Sequence, residues 1–190
     1  MSFRIEEKIF IDNSKIHLLK EWIYENGGAT LYPDRIINSI YFDNNRLQMF
    51  IDSEEGSVPR KKIRIRYYGD KPFIEQGAFT IEVKISSVEG RYKTIKKISN
   101  IDKYLKLGIL DKVYGIVKPK NIVSYCRSYF QIHGQRLTID SNIKYTKYNG
   151  FYTKKQPEIA VEIKANFSKN IDALLADFPF PRIRFSKYSK

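Results

Sequence analysis

The sequence has little of what secreted or membrane-spanning proteins need. It contains one cysteine, Cys126, among 190 residues, so no disulfide can form within the chain and a reducing compartment is expected. Cys126 alternates with Arg127 along a strand-like segment, which favours a buried thiol over a nucleophile. No apolar run approaches the roughly 20 residues that span a bilayer, and the first residues show no apolar signal core. We therefore expect a globular protein of the cytoplasm.

Acidic residues are scarce relative to basic ones. The chain has 34 Lys and Arg against 21 Asp and Glu, which gives a formal net charge of +13. This excess predicts a polyanionic partner, and composition leaves nucleic acid, an anionic membrane and phosphate-rich small molecules open. Hydrophobic residues make up 42% of the chain, so the basic residues belong to a folded protein rather than a disordered tail. The length fits a single domain over residues 1–190.

Most of the chain has the pattern of strands joined by short turns. One helix is indicated over residues 13–28, where apolar residues recur at helical spacing between an Asn13 or Ser14 cap and a Gly27-Gly28 stop. Shorter helices are predicted within residues 44–52, 100–110 and 170–178. Eight or nine strand-like segments favour an antiparallel sheet or a closed barrel with flanking short helices. The predicted fold class is therefore α+β with strands dominant.

Charged and apolar residues alternate within these strands. The segment RKKIRIRYYG, residues 60–69, places Lys62, Arg64 and Arg66 on the face opposite Ile63 and Ile65. An ordinary two-faced sheet with its charged face in water accounts for any one such strand. For the whole set, Arg-rich faces interspersed with carboxylates favour a closed sheet with the charges inside. Such an interior would be strongly unfavourable when empty and favourable around a polyphosphate.

Eight short motifs occur in an order that resembles the VTC domain: RIEEKIF, IYFDN, KIRIRYY, IEVK, YCRSY, RLTID, VEIK and RFSKY. The VTC domain is the polyphosphate polymerase branch of the triphosphate tunnel metalloenzymes, a superfamily that also includes the CYTH proteins. No single motif is specific, but together they extend over nearly the whole chain. The resemblance implies an antiparallel eight-stranded β-barrel, a tunnel with basic residues inside, which agrees with the alternation.

The resemblance also implies which residues contact substrate. Phosphate contacts are expected from Lys8, Arg64, Arg66, Lys84, Arg127, Arg136, Lys164 and Lys187, with Lys62, Lys93 and Arg184 in phase with them. Of these, Arg64, Arg66, Arg127 and Lys187 are the expected catalytic residues. Tyr41 and Tyr125 are expected to hydrogen-bond phosphate, with packing on the sheet as the alternative.

One or two carboxylates suffice for a divalent metal, because Mg²⁺ and Mn²⁺ also take oxygen ligands from phosphates and water. Glu162 matches the metal-binding glutamate of the family. Glu6 and Glu82 are further metal candidates, with ion pairing to nearby lysines as the alternative. Hydrolase-like members of the superfamily open with Glu-x-Glu-x-Lys, whereas Arg4 takes the first Glu position here and Glu7 has the wrong parity. This departure favours the polymerase branch.

These features predict a polyphosphate polymerase-like phosphotransferase, which moves the γ-phosphate of ATP to a growing chain with a divalent metal. The alternatives are a triphosphatase acting on inorganic or nucleoside triphosphate, a non-catalytic polyphosphate- or nucleotide-binding module, and RNA binding through basic and aromatic residues. DNA is not expected as a partner. Eukaryotic relatives carry membrane helices that this chain lacks, so a separate membrane protein is a candidate partner.

Overall fold

The computed structural model describes residues 4–70, 78–166, 174, 176 and 178–181, with the backbone alone at 4–7, 10, 165 and 166. Strands dominate the described residues, as predicted for an α+β protein. In chain order the elements are β1 (Arg4–Asp12), a 3-10 helix (Asn13–Lys15), α1 (Ile16–Glu25), β2 (Ala29–Asp43), α2 (Gln48–Glu55), β3 (Arg60–Tyr68), β4 (Phe79–Ser87), β5 (Gly90–Ile98), α3 (Asp102–Leu107), β6 (Ile109–Asp111), β7 (Gly115–Ile132), β8 (Gln135–Lys147), β9 (Thr153–Lys155) and β10 (Glu158–Asn166).

The helices lie where the sequence predicts them, with one difference at the first cap. Asp12, rather than Asn13 or Ser14, caps the 3-10 turn, because its carboxylate accepts the backbone N–H of Ser14 at 2.9 Å. The chain leaves α1 at Gly28, where a Cβ atom would lie 2.6 Å from the carbonyl oxygen of Ile23. α2 and α3 confirm two of the shorter predicted helices. The third, at 170–178, falls mostly outside the described residues.

The strands form one mostly antiparallel sheet, and the predicted closure into a barrel is wrong for the part of the chain that the structure describes. The order is β1-β10-β8-β7-β2-β3-β4-β5, with β6 paired to β7 and β9 paired to β8. No pairing between β1 and β5 closes this path among the described residues. β5 is exposed along most of its length and carries several lysines, a composition that suits an unpaired edge strand.

The chain divides into two compact units, and β2, β7 and β8 contribute residues to both. The prediction of one domain over residues 1–190 stays a prediction. In the first unit, α1 packs on the apolar faces of the strands beside it, where Trp22 meets Phe178 edge to face at 4.9 Å. The buried cluster around α1 consists of Ile9, Ile11, Leu19, Trp22, Ile23, Phe130, Ile132, Leu137, Ile139, Ile159, Val161, Ile163 and Leu174.

The second unit contains α2, α3 and the strands β3 to β6. Asp43, at the end of β2, is buried and accepts the backbone N–H groups of Met49 and Phe50 at 3.0 Å, so it satisfies the first turn of α2. Ile63 and Ile65 of β3 are buried as the alternation predicts. Within the described residues, no helix has both the length and the apolar composition needed to cross a membrane.

Candidate functional site

β3 carries three basic residues on one face, and the strands beside it extend the positive charge. Lys62 lies opposite Lys84 on β4, and Lys84 lies opposite Lys93 on β5. Residues that are directly opposite share a face, with Cβ atoms about 4.5–5.5 Å apart. The register therefore brings three ammonium groups side by side, which destabilises a sheet unless nearby anions offset the repulsion.

One carboxylate lies among these cations. Glu82 accepts hydrogen bonds from Arg64 Nε at 2.7 Å and from Lys93 Nζ at 2.7 Å, and Arg66 Nη1 lies 3.5 Å from its Oε1 atom. Burial raises the pKa of Glu82, but the charges of Arg64 and Arg66 and the hydrogen bonds from Lys93 and Arg64 outweigh it and lower the pKa to about 2. Glu82 is therefore ionised at neutral pH and orients three cations around itself.

Tyr41 holds the guanidinium of Arg64 from the neighbouring strand. It lies opposite Arg64 in the register of β2 with β3, and its hydroxyl accepts a hydrogen bond from Arg64 Nη1 at 3.0 Å. The Arg64 Cζ atom is 5.8 Å from the centre of the tyrosine ring. We call this group the Glu82 cluster: Tyr41, Lys62, Arg64, Arg66, Glu82, Lys84 and Lys93.

The first unit has a second group of charges, centred on a bidentate ion pair. Arg127 on β7 donates from Nε and Nη2 to the two carboxylate oxygens of Asp140 on β8, at 2.5 and 2.7 Å. Asp140 is fully buried, and the Arg127 Cζ atom lies 5.3 Å from the ring centre of Tyr125. Burial lowers the pKa of Arg127, but the hydrogen bonds and charge of Asp140 outweigh it and raise the pKa. The guanidinium is thus charged and fixed in orientation.

Glu162 on β10 lies beside this pair. It is opposite Lys8 on β1, and its Oε1 atom is 3.0 Å from Lys164 Nζ. Burial raises its pKa, but the charges of Lys164, Arg127 and Lys8 outweigh it and lower the pKa to about 2. Arg136 on β8 lies opposite Lys164. We call this group the Glu162 cluster: Lys8, Tyr125, Arg127, Arg136, Asp140, Glu162 and Lys164.

Neither cluster offers a metal a complete set of protein ligands. Among the described residues, no three His, Cys, Asp or Glu side chains are placed together to hold an ion. Both oxygens of Glu82 face cationic groups, and Asp140 is engaged by Arg127 on both oxygens. Glu162 fits as a single carboxylate ligand, provided that phosphate oxygens and water complete the shell and offset the nearby lysines.

The structure places most of the predicted site residues in one cluster or the other, each described in its own unit. The side chain of Glu6 is not described, although its backbone lies opposite Lys164. Arg184 and Lys187 lie outside the described residues. Asp140 is the member to which the sequence interpretation gave no role. Asp140 shares a strand face with Arg136, and a carboxylate within a row of basic residues needs a cationic partner. This pattern could have predicted its role.

Comparisons with known proteins agree with this fold. The family model of the VTC domain matches residues 3–190. A search of curated proteins finds no match. The PH1012 protein of Pyrococcus horikoshii OT3 is similar in structure, with a TM-score of 0.54 and 14% identity over 88% of this chain and 80% of that one. A candidate adenylate cyclase of Vibrio parahaemolyticus has a TM-score of 0.51 and 14% identity, over 92% of this chain and 86% of that one.

Proposed function

The chain belongs to the VTC domain family, and from this premise we propose that it is a phosphotransferase that adds the γ-phosphate of ATP to a polyphosphate chain. The observation that carries the proposal is the Glu82 cluster. There, one ionised carboxylate lies among two arginines and a row of three lysines, which the register places on one face of neighbouring strands. The regular spacing of these cations along the strands suits a linear polyphosphate, whose oxygens accept charge-assisted hydrogen bonds.

The arginines and lysines have different tasks in this proposal. Arg64 and Arg66 bind non-bridging phosphate oxygens, and their planar donors favour a defined orientation of the phosphoryl group. Lys62, Lys84 and Lys93 act as point charges that attract successive phosphates of the polyphosphate. Arg127 and Lys187 are proposed for the same reaction, with Lys8, Arg136, Lys164 and Arg184 as further phosphate contacts. Tyr41 and Tyr125 act by orienting Arg64 and Arg127.

The reaction needs no protein base. An ionised oxygen of the terminal phosphate of the growing chain attacks the γ-phosphorus of ATP, and the bond from that phosphorus to the β–γ bridging oxygen breaks. ADP leaves with the electron pair. The side chains of the protein position the two phosphates in line and neutralise the charge that develops on the phosphate oxygens. Positioning and charge neutralisation supply most of the catalysis in such reactions.

Glu162 is the proposed anchor for a divalent ion, Mg²⁺ or Mn²⁺. When bound, such an ion neutralises charge on phosphate oxygens as a Lewis acid. Glu162 would hold the ion through its carboxylate. Lys164 on the same strand and Lys8 on β1 would bind further phosphate oxygens. Glu82 is better suited to ion pairing, because arginine and lysine groups engage both of its oxygens.

Incubation of the purified protein with ATP and Mn²⁺ tests the proposal. Chains that grow with time on a polyacrylamide gel, with release of ADP, are expected. Release of inorganic phosphate without chains would make the protein a triphosphatase, and retained triphosphate binding with neither product would make it a binding module. Loss of turnover in Glu162→Ala is expected if this carboxylate anchors the ion, and undiminished turnover would overturn that assignment.

Two lysines of β5 provide a matched pair of variants. Lys93 contacts Glu82, whereas Lys96 lies opposite Ile81 and so projects from the other face of the same strand. Lys93→Met is expected to weaken triphosphate binding about tenfold, the effect of losing one charged contact. Lys96→Met removes the same charge and should leave binding unchanged. Equal losses in isothermal titration would show that only net charge matters.

A further inference from the structure

Large apolar side chains that protrude into solvent are concentrated in one part of the second unit. Seven such residues are at least 60% exposed among those described, and Val88 is the one outside this region. The other six define what we call the hairpin surface: Leu107, Leu110, Val113, Ile116, Phe151 and Tyr152. Scattered apolar residues are normal on protein surfaces, but a group of this kind marks an interaction site.

The first four of these residues lie on the end of α3 and the β6–β7 hairpin. Leu110 and Ile116 are directly opposite each other in the register of the two strands, so their side chains share a face. Asp111 fixes the turn between them, because its Oδ1 atom accepts the backbone N–H of Val113 at 2.9 Å. Lys61 anchors Asp111 through an ion pair of 2.8 Å. These contacts hold the exposed apolar side chains of the hairpin in a defined position.

Phe151 and Tyr152 lie beside the same strand, further along. The backbone N–H of Tyr148 donates to the carbonyl of Lys120 on β7 at 2.8 Å, which ties the turn after β8 to that strand. Lys120, Phe151 and Tyr152 line one shallow pocket. Strand alternation sets Ile116 and Lys120 on one face, about 13 Å apart, since each residue adds about 3.3 Å. The two apolar groups therefore flank one stretch of β7.

The two segments that carry the hairpin surface are strongly basic. Residues 102–120 and 144–154 contain eight lysines, with Asp102 and Asp111 as their only acidic residues. Asp111 is already paired with Lys61. Seven of the eight lysines are exposed: Lys103, Lys106, Lys112, Lys118, Lys144, Lys147 and Lys154. Protruding aliphatic and aromatic tips within a field of lysines are typical of proteins that lie on anionic membranes.

We propose that the hairpin surface docks the protein on an anionic lipid bilayer, with Leu110, Ile116 and Phe151 inserted among the acyl chains. The lysines bind the headgroups, and each adds attraction that falls with salt. A second copy of the chain fits this surface poorly, because it would bring lysines against lysines. RNA would use the lysines and Phe151 but leave the aliphatic tips without a role. The proposal stands independently of the phosphate reaction.

Flotation with lipid vesicles tests the proposal on the full chain. We expect binding to vesicles of phosphatidylcholine with 30% phosphatidylserine, about tenfold weaker binding to phosphatidylcholine alone, and partial release by salt. Phe151→Trp should show a blue shift of its emission on the anionic vesicles, which reports insertion directly. Trp22 is buried and gives a constant background. No binding, or binding without a blue shift, would overturn the inserted arrangement.

Matched variants separate insertion from charge. Leu110→Ser and Phe151→Ser should each weaken vesicle binding about tenfold, because each removes a large buried side chain from the bound state. Val88→Ser removes an equally exposed apolar residue elsewhere and should have no effect. All three positions are exposed, so unfolding midpoints should not change. The proposal is overturned if the three variants bind alike, or if single-stranded RNA binds in place of vesicles and loses affinity in the same variants.

Discussion

A carboxylate within a phosphate-binding group competes with the substrate for the same cations. Glu82 contacts Arg64, Arg66 and Lys93, so each of these side chains is held in place before any phosphate arrives. A phosphate oxygen that binds an arginine must displace or share this carboxylate. Glu82 therefore stabilises the empty protein and weakens binding of the anion at the same time.

Glu82→Gln is expected to separate these two effects. The variant takes the carboxylate away from the buried Arg66 and the partly buried Arg64, so the free energy of unfolding should fall by about 3 kcal/mol. Triphosphate should then bind more tightly than to the unchanged protein, and its addition should restore much of the lost stability by mass action. Urea unfolding with and without triphosphate, together with titration calorimetry, measures both quantities.

Glu54→Gln in α2 is the control, because it makes the same change at an exposed position. It should alter neither stability nor affinity by a measurable amount. If Glu82→Gln instead weakened triphosphate binding only when Mn²⁺ is present, Glu82 would be a metal ligand rather than an ion-pair partner.

Two carboxylates, the buried Glu82 and the partly buried Glu162, also predict how stability depends on pH. Glu82 and Glu162 have pKa values of about 2 in the folded protein, below the ordinary glutamate value of 4.5. Because folding lowers these pKa values, their contribution is complete above about pH 4.5 and disappears as the pH falls toward 2. Each carboxylate accounts for on the order of 3 kcal/mol. Urea midpoints should stay level from pH 7 to 5 and fall steeply below, with a smaller fall in Glu82→Gln. An unchanged slope in that variant would contradict the assignment.

At the scale of elements, the short connection between α3 and β6 depends on one glycine. Gly108 has φ +89°, and a Cβ atom there would lie 2.6 Å from the carbonyl oxygen of Val117. Gly115, on the other side of the same hairpin, has φ +71° and open space around it. Gly115→Ala should cost about 1–2 kcal/mol for backbone conformation alone, whereas Gly108→Ala should cost about 1–3 kcal/mol more, because of the collision and because its ψ of −171° completes a conformation that essentially only glycine adopts.

Urea unfolding midpoints of the two variants check this difference. The hairpin surface gives a second measurement, because displacement of β6 by Gly108→Ala should also weaken vesicle binding. Equal destabilisation by the two substitutions would mean that the carbonyl of Val117 moves aside at little cost.

The sequence predicts elements well where one local interaction decides them. Alternation of Ile63 and Ile65 with basic residues determines which face of β3 is buried, and the structure confirms it. The first cap was misplaced by one or two residues, because Asp12, Asn13 and Ser14 all have capping side chains. Closure of the sheet, which the described residues contradict, depends on whether two distant edge strands pair, and neither strand encodes that by itself.

The candidate site shows the same division. The basic members of both clusters could be predicted, because parity on a strand places a side chain on a face. The partners could not, since they depend on the register between neighbouring strands, which parity within one strand does not determine. The pair of Arg127 with Asp140 joins two long strands, and the contact of Lys93 with Glu82 depends on how β4 and β5 align.

At the scale of the whole molecule, a net charge of +13 attracts any polyanion, so charge by itself does not identify the ligand. The Glu82 cluster predicts a preference that charge does not, because its arginines and its row of lysines suit a short linear phosphate. Triphosphate at a hundred times its dissociation constant should raise the free energy of unfolding by about 2.7 kcal/mol. Citrate at the same charge and ionic strength should raise the free energy of unfolding far less. Lys93→Met should reduce the stabilisation by triphosphate and leave that by citrate unchanged. Thermal unfolding in matched salt measures all three, and equal stabilisation by citrate and triphosphate would reduce the site to a general attraction between the protein and polyanions.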